Sequence, residues 1–317
     1  MKKITIGIVG AENEAHSLHM KNILQGKGID VLIIDTLKYP ESVTLSITDT
    51  DVIYNGRSLR NINVFYIRSI FYSLPPYDLE KRRKEVKVDL DNWYVEYVAE
   101  RERQSHLASW LWIEARKEKH IINPIDSFDM HYLKPYQICI LRENGIPVPK
   151  TLVTNDKEKL LKFIKKSKKI IYKPVAGGAE CNELSKKDLT RKKLELLRNS
   201  PVLFQELIEG DNVRVYVIGD KVVSSNIIKS DTLDYRGAEK EILPISLPDR
   251  IKKLCIKAVK VCKMKYSGID LRKKPSGEYV FLECNPSPMF LGMVEAAGDP
   301  IDEYFADYLI KLAREKT

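Results

Sequence analysis

The sequence has few cysteines, and their arrangement indicates no structural role. The five are Cys139, Cys181, Cys255, Cys262 and Cys284. Their number is odd, they are scattered, and none forms a Cys-x-x-Cys pair, so we expect neither a disulfide framework nor a structural zinc site. This usage is typical of a protein in a reducing compartment, and it predicts a cytoplasmic location.

The chain also lacks a long apolar run. No stretch approaches the roughly 18 consecutive apolar residues that a membrane-spanning helix needs. The apolar run Ile4–Val9 is soon followed by Glu12 and Glu14, so it is too short for a signal peptide and is predicted to be a strand. We therefore expect no membrane partner, while an apolar content of 44% is enough for a buried core.

An excess of positive charge is present only in one segment. The chain carries 53 Lys+Arg against 44 Asp+Glu, a formal charge of +9. Residues 150–200 hold 15 basic and 6 acidic side chains, which accounts for the whole excess. Only Phe163 and Tyr172 are aromatic in this segment, so its lysines lack an interleaved aromatic pattern, and it has no nucleic-acid-binding motif; we therefore do not expect a nucleic-acid partner.

Seven lysines of this segment lie on or just after a helix predicted over 157–168, opposite its apolar side. They form either a solvated face or a docking surface for an acidic peptide. The seven are Lys157, Lys159, Lys162, Lys165, Lys166, Lys168 and Lys169.

The predicted elements change in kind near Asn123-Pro124. Residues 3–35 are predicted to form a strand, a helix and a second strand, which is the βαβ opening of a parallel sheet. Later segments predict hairpins, one of them with its turn at Gly219-Asp220. The length also suggests about two domains, at roughly 150 residues each.

Three oxygen-bearing side chains are predicted to meet on one hairpin. Glu283 and Asn285 alternate along a strand, so they share a face, and Asp270 lies on the preceding strand. Two carboxylates and an amide oxygen suit Mg²⁺. The alternative is three polar residues on the surface of an edge hairpin.

Two further segments suggest contacts with a nucleotide. An apolar strand ends at Lys173, and Gly177 and Gly178 follow in a loop, which together could hold a polyphosphate. No Walker pattern is present, so a plain turn between strands is the alternative. Arg214 and Arg236 could reach phosphate oxygens, with ordinary salt-bridged arginines as their alternative.

The order of these residues resembles the ATP-grasp carboxylate–amine ligases, and most closely the RimK-like glutamate ligases. The resemblance covers about residues 123–316, with Lys134 and the Gly145–Thr151 segment as its opening. It implies an α/β (α+β) ATP-grasp fold. The implied parts are an N-terminal parallel-sheet pre-ATP-grasp domain over 1–124, a small lid subdomain over 125–200 and a C-terminal subdomain with the metal site over 201–317.

The same resemblance implies an enzyme that uses ATP to activate a carboxylate as an acyl phosphate and then joins it to an amine. The implied cofactors are ATP and one or two Mg²⁺ ions, which Mn²⁺ could replace. The implied catalytic residues are Arg214 and Arg236. The implied nucleotide-binding residues are Lys134, Lys173, Gly177, Gly178, Gln205, Glu206, Leu207 and Asn212, and the implied metal ligands are Asp270, Glu283 and Asn285.

A narrower resemblance is to the graspetide (microviridin-type) peptide ligases, through Thr151–Asn155, Asp234–Arg236 and Glu283–Pro286. It implies an acidic precursor peptide, cross-linked by ester or amide bonds, as the alternative to a small amino-acid substrate. A non-catalytic nucleotide-binding module is a further alternative, and relatives suggest a homodimer or homotetramer. Asn212 stands where relatives carry a ribose-binding Asp, and Arg68 could bind a substrate carboxylate or be salt-bridged.

Overall fold

The structure is a computed structural model that describes residues 4–69, 93–176, 181–232 and 240–315. It divides into two compact units, one of Met1–Ile125 with Asp302–Thr317 and the other of Asp126–Ile301. No helix in the described ranges is long and apolar enough to cross a membrane. The three-domain division implied by the resemblance is finer than this one and stays a prediction.

The strands and helices have the following bounds. The strands are β1 (Thr5–Gly10), β2 (Asp30–Asp35), β3 (Leu45–Ile47), β4 (Val52–Tyr54), β5 (Arg57–Ser58), β6 (Val64–Ile67), β7 (His120–Ile122), β8 (Thr151–Thr154), β9 (Ile170–Pro174), β10 (Asn182–Glu183), β11 (Val202–Glu206), β12 (Asp211–Ile218), β13 (Lys221–Lys229), β14 (Glu241–Pro244), β15 (Tyr266–Lys273) and β16 (Tyr279–Asn285). The helices are α1 (Ala15–Gly26), α2 (Trp93–Arg116), α3 (Ile125–Phe128), α4 (Lys134–Glu143), α5 (Lys157–Ile164), α6 (Arg191–Glu195), α7 (Asp249–Val261), α8 (Leu291–Ala297) and α9 (Ile301–Arg314).

A parallel four-stranded sheet, in the order β2-β1-β6-β7, forms the centre of the first unit. The βαβ opening predicted from the sequence is present as β1, α1 and β2. The C-terminal helix α9 packs in this unit, where the rings of Tyr66 and Phe305 meet edge to face at 4.8 Å. Nε2 of His19 in α1 lies 2.6 Å from Oδ2 of Asp302 in α9, so a polar contact supports this apolar packing.

A five-stranded antiparallel sheet, in the order β14-β13-β12-β15-β16, carries the main core of the second unit. On one face, Val215, Ile269 and Phe281 pack against Cys255 and other buried residues of α7. The β12–β13 hairpin turns where the sequence predicted. Because side chains alternate along a strand, the residues between these apolar ones point to the opposite face, which carries the polar residues described below.

A smaller antiparallel sheet, β10-β9-β11-β8, has its own core with α5. The helix predicted over 157–168 ends at Ile164, because no apolar residue beyond Ile164 continues its buried side. Its lysines are largely exposed. At the two ends of the set, Lys157 pairs with Glu195 at 2.6 Å and Lys169 pairs with Glu209 at 2.8 Å.

Glu14 is the most strongly held carboxylate at the start of α1. It accepts a hydrogen bond from the backbone N–H of Ser17 at 2.8 Å, and its Oε1 lies 2.8 Å from Nδ1 of His16 and 3.1 Å from Nε of Arg68. Burial alone would raise its pKa, but the His16 hydrogen bond and the Arg68 charge outweigh burial and lower the pKa to about 2. Arg68 is therefore salt-bridged, which was the alternative to substrate binding.

Replacing Glu14 should test this network through the pH dependence of stability. A group with a lowered folded-state pKa stabilises the protein above its unfolded-state pKa, here about 4.5, and loses that effect as pH falls toward about 2. Glu14→Gln should therefore lower the free energy of unfolding by on the order of 2 kcal/mol at neutral pH and by progressively less in acid. Urea unfolding across this range measures the difference, with exposed Glu12→Gln as the control. A pH-independent difference would contradict the account.

Candidate active site

The polar face of the five-stranded sheet carries charged side chains in one row. Strand pairing places Arg214 of β12 beside Asp270 of β15, and Asp270 beside Glu283 of β16. Nη1 of Arg214 donates to Oδ1 of Asp270 at 2.7 Å, and both side chains are largely buried. A charge-assisted pair at this distance holds the Asp270 carboxylate in a fixed position.

Asn285 joins the two carboxylates of this row. Its Nδ2 donates to Oδ2 of Asp270 at 3.0 Å and to Oε1 of Glu283 at 3.2 Å. Asn285 therefore lies within hydrogen-bonding distance of both other predicted metal ligands, and the three residues lie on two neighbouring strands. If the amide turned over, its oxygen would join the carboxylate oxygens in a donor set that suits Mg²⁺. Within the described ranges, no group of three or more His, Cys, Asp and Glu residues could hold a metal.

Two lysines bring positive charge to the carboxylates. Lys134, at the start of α4, makes an ion pair with Glu283. Burial lowers the pKa of the Lys173 ammonium; the negative charge of Glu283 opposes this effect and the positive charge of Lys134 adds to it. Burial by itself would raise the pKa of Glu283, but the charges of Lys134 and Lys173 hold it well below its usual range.

The charge balance of this site favours an anion. Within the described part of the chain, Lys134, Lys173 and Arg214 interact with the two carboxylates of Asp270 and Glu283. A divalent cation held by the carboxylates would increase the positive excess. A polyanion that arrives with the cation would remove it, and a nucleotide triphosphate with Mg²⁺ has this charge pattern.

Gln137 fastens α4 to the strand that carries the predicted ligands. Its Nε2 donates to the carbonyl of Cys284 at 2.9 Å, and its Oε1 accepts from the N–H of Cys284 at 2.8 Å. Cys284 stands between Glu283 and Asn285, and Lys134 lies one helical turn before Gln137. The two hydrogen bonds thus fix the lysine relative to the ligands. Our sequence analysis missed Gln137, although its i, i+3 spacing from Lys134 was a signal.

Gly268 is a second residue that the sequence analysis missed. A Cβ at this position would lie 2.6 Å from Cζ of Arg214 and 2.7 Å from Cβ of Pro288. The guanidinium of Arg214 also lies 5.1 Å from the centre of the Tyr216 ring. Only glycine leaves room for the arginine here, and a glycine inside a strand is a general signal of such close approach.

The segment predicted to contact adenine lies at the end of β11. Gln205 is almost fully buried, and its Nε2 donates to Oγ1 of Thr151 at 3.0 Å. The Glu206 carboxylate accepts from the N–H of Lys150 at 2.8 Å. These bonds fix the end of β11 to the start of β8.

Two further predicted nucleotide contacts, Leu207 and Asn212, lie after β11 and at the start of β12. The N–H of Leu207 donates to the carbonyl of Lys169 at 3.0 Å. Asn212 is nearly buried on β12, two residues before Arg214 and therefore on the same face. The three other predicted residues lie outside the described residues: Gly177, Gly178 and Arg236.

Comparisons with known proteins agree with this geometry. The family model of the RimK-like ATP-grasp domain matches residues 134–309. A structure of the ATP-grasp ligase PsnB, complexed with a phosphomimetic variant of minimal precursor, Mg and ADP, is similar at 34% identity. The match has a TM-score of 0.88 and covers 97% of this chain and 98% of that one.

Two more distant relatives extend the comparison. Tetrahydromethanopterin:alpha-L-glutamate ligase of Methanocaldococcus jannaschii is 26% identical over 208 residues, which cover 61% of this chain and 71% of the relative. The macrocyclase MdnC of Microcystis aeruginosa, bound with precursor peptide MdnA, shares the fold at 20% identity. Its TM-score is 0.79, and the match covers 97% of this chain and all of that one.

Replacing Lys173 separates a functional role from a structural one. Lys173→Met removes an ammonium whose charge is disfavoured by burial, so we expect no loss of stability against urea. The affinity for Mg²⁺·ATP should fall about tenfold or more, since a phosphate-binding charge is lost. Titration calorimetry measures this, with the exposed Lys168→Met as the control. An unchanged affinity would reject the assignment of Lys173.

Proposed function

We propose that this chain, which belongs to the RimK-like ATP-grasp family, is an ATP-dependent ligase whose substrates are side chains of a peptide. The whole-chain similarity to PsnB at 34% identity carries this proposal, because that ligase was solved with a minimal precursor and, in a further structure, with precursor peptide PsnA2. The similarity covers almost the full chain and so includes the first unit. Two glutamate ligase relatives match this chain at lower identity, 26% and 22%.

The residues of the sheet face and the two lysines beside it have distinct roles in the proposed reaction. Lys134 and Lys173 bind the phosphates of ATP, and Asp270, Glu283 and Asn285 would hold Mg²⁺, which neutralises phosphate charge when bound. A peptide carboxylate attacks the γ-phosphorus, which yields ADP and an acyl phosphate. Arg214 stabilises the transferred phosphoryl group and the oxyanion that follows. Mn²⁺ takes the same oxygen ligands and should replace Mg²⁺.

Other assignments in this site follow from the family resemblance. Arg236 shares the role of Arg214, and Gly177 and Gly178 contact phosphate. Gln205, Glu206 and Leu207 contact adenine, and Asn212 lies where relatives bind ribose. The proposed parts are the N-terminal domain over 1–124, the lid over 125–200 and the metal-binding subdomain over 201–317. A homodimer or homotetramer is the proposed assembly.

The basic surface around α5 supports an acidic substrate. Of the seven lysines on and just after α5, those between the two paired ends have exposed side chains, including Lys162, Lys165 and Lys166. Exposed like charges on one surface raise the rate at which an oppositely charged peptide associates, and this effect falls with added salt. A free amino acid would gain less from such a surface, because it carries fewer charges.

A substrate screen tests the proposed function. ADP release is measured with Mg²⁺ and ATP, for free amino acids and for Asp/Glu-rich peptides that also contain Thr, Ser and Lys. We expect release with peptides and a peptide product lighter by one water for each bond formed. Release only with free glutamate and a second amine would contradict a peptide substrate and favour an amino-acid ligase, as the glutamate ligase relative suggests.

Substitution of the predicted ligands should stop the reaction without unfolding the protein. Asp270→Asn and Glu283→Gln should each lower ADP release about a hundredfold or more, because each removes a negative oxygen ligand from the metal site. Glu278→Gln is the matched control, since Glu278 is exposed, close in sequence to β16 and paired with Lys274. Near-normal release by either ligand variant would show that the metal assignment is wrong.

A further inference from the structure

A second polar cluster lies on the same sheet, at Ser224, Asn226 and Asp299. Oγ of Ser224 and Nδ2 of Asn226 each donate to Oδ2 of Asp299 at 2.6 Å. Nδ2 of Asn226 also lies 2.9 Å from Oγ of Ser224. None of the predicted nucleotide or metal contacts includes these residues, so the roles assigned above leave the cluster unexplained.

The carboxylate of Asp299 fixes the orientation of the Asn226 amide. An ionised carboxylate only accepts hydrogen bonds, so the amide must turn its NH₂ group toward Asp299 and its oxygen away. Asn226 is fully buried, and its Oδ1 has no hydrogen-bond partner among the residues that the structure describes. A buried carbonyl oxygen without a donor is costly, and such groups in folded proteins call for an explanation. A bound ligand that donates a hydrogen bond to Oδ1 of Asn226 would explain why this oxygen is left without a donor.

The position of the cluster indicates which ligand this is. Asn226 pairs with Arg214 across the strands, and Arg214 pairs with Asp270. Two strand spacings place Asn226 about 10 Å from Asp270. The phosphates of the nucleotide occupy the Asp270 side of Arg214 in the proposed reaction, so the group that attacks the acyl carbon has the Asn226 side available.

We propose that Asn226 and Asp299 form the subsite for the attacking nucleophile of the substrate, a hydroxyl or amine that donates a hydrogen bond to Oδ1 of Asn226. This inference rests on the proposed ligase reaction and adds the residues that select the second reactant. Asn226 accepts through a neutral oxygen, and Asp299 supplies the negative charge beside it. Ser224 holds Asp299 in place from the same strand.

The step at this subsite is balanced as an acyl transfer. The oxygen or nitrogen of the nucleophile attacks the carbonyl carbon of the acyl phosphate and forms the new ester or amide bond. The bond from that carbon to the phosphate oxygen breaks, and its electron pair leaves on inorganic phosphate. The departing phosphate takes the proton of the nucleophile, and no oxidant or reductant takes part.

Trapping with hydroxylamine tests the subsite separately from the first half of the reaction. The enzyme with Mg²⁺ and ATP is given an Asp/Glu-rich peptide, in one arm with Thr as the only nucleophile and in the other with Lys. Hydroxylamine converts the acyl phosphate to a hydroxamate without help from the subsite. Mass spectrometry then measures the hydroxamate and the cross-linked product in the same sample. Comparison of the two arms shows whether the enzyme uses a hydroxyl or an amine as its nucleophile.

Asp299→Asn should lower cross-linking about tenfold or more, the effect of one lost hydrogen bond to a charged group, while hydroxamate stays within about twofold of wild type. Asn226→Leu, which keeps the size of the side chain, should likewise lower cross-linking and leave the amount of hydroxamate unchanged. Ser225→Ala is the matched control, because Ser225 bonds instead to the carbonyl of Ile245 and its side chain lies on the other face. It should change neither product.

The outcomes separate this inference from the proposed function. If both products fall in parallel in Asp299→Asn and Asn226→Leu, the cluster is structural and the subsite is wrong. If cross-linking is unchanged in both variants, the subsite is also wrong. If the wild type forms no hydroxamate with any peptide, the proposed ligase reaction fails, and the subsite fails with it.

Discussion

The ion pair between Lys134 and Glu283 joins the two parts of the second unit on which its chemistry depends. One is the helix that begins at the lysine, and the other is the strand that carries two of the three predicted metal ligands. Gln137 reinforces this junction through two hydrogen bonds to the backbone of Cys284. The helix and the strand are therefore held together, and a displacement of either would separate Lys134 from the predicted ligands.

Electrostatics explains why the site favours a bound polyanion. Three positive groups surround two carboxylates, and one of them, the Lys173 ammonium, has its pKa lowered by burial. In the absence of a polyanion the lysines hold the Glu283 carboxylate ionised, which is also the form that a metal ligand requires. The same lysines would pair with the phosphates when a nucleotide binds, and the carboxylates would then be available to hold Mg²⁺.

Strand periodicity let the sequence predict the centre of the site but not its surroundings. Glu283 and Asn285 share a face, as alternation predicted, and pairing of β15 with β16 brings Asp270 beside them. Their role as ligands stays a prediction. The Asn226–Asp299 bond spans 73 positions of the chain, and no local pattern reports a contact of that range. The partner of Gln137 is likewise a backbone 147 positions away.

The central claim is that this sheet face activates a carboxylate by phosphorylation, and the fate of the carboxylate oxygen tests it most directly. A peptide substrate is prepared with ¹⁸O in both oxygens of its glutamate side-chain carboxylates and is turned over with unlabelled ATP and Mg²⁺. The account predicts that the inorganic phosphate released carries one ¹⁸O atom for each bond formed, because the acyl–oxygen bond breaks when the nucleophile attacks. Unlabelled phosphate, with product formed and ATP consumed, would contradict it.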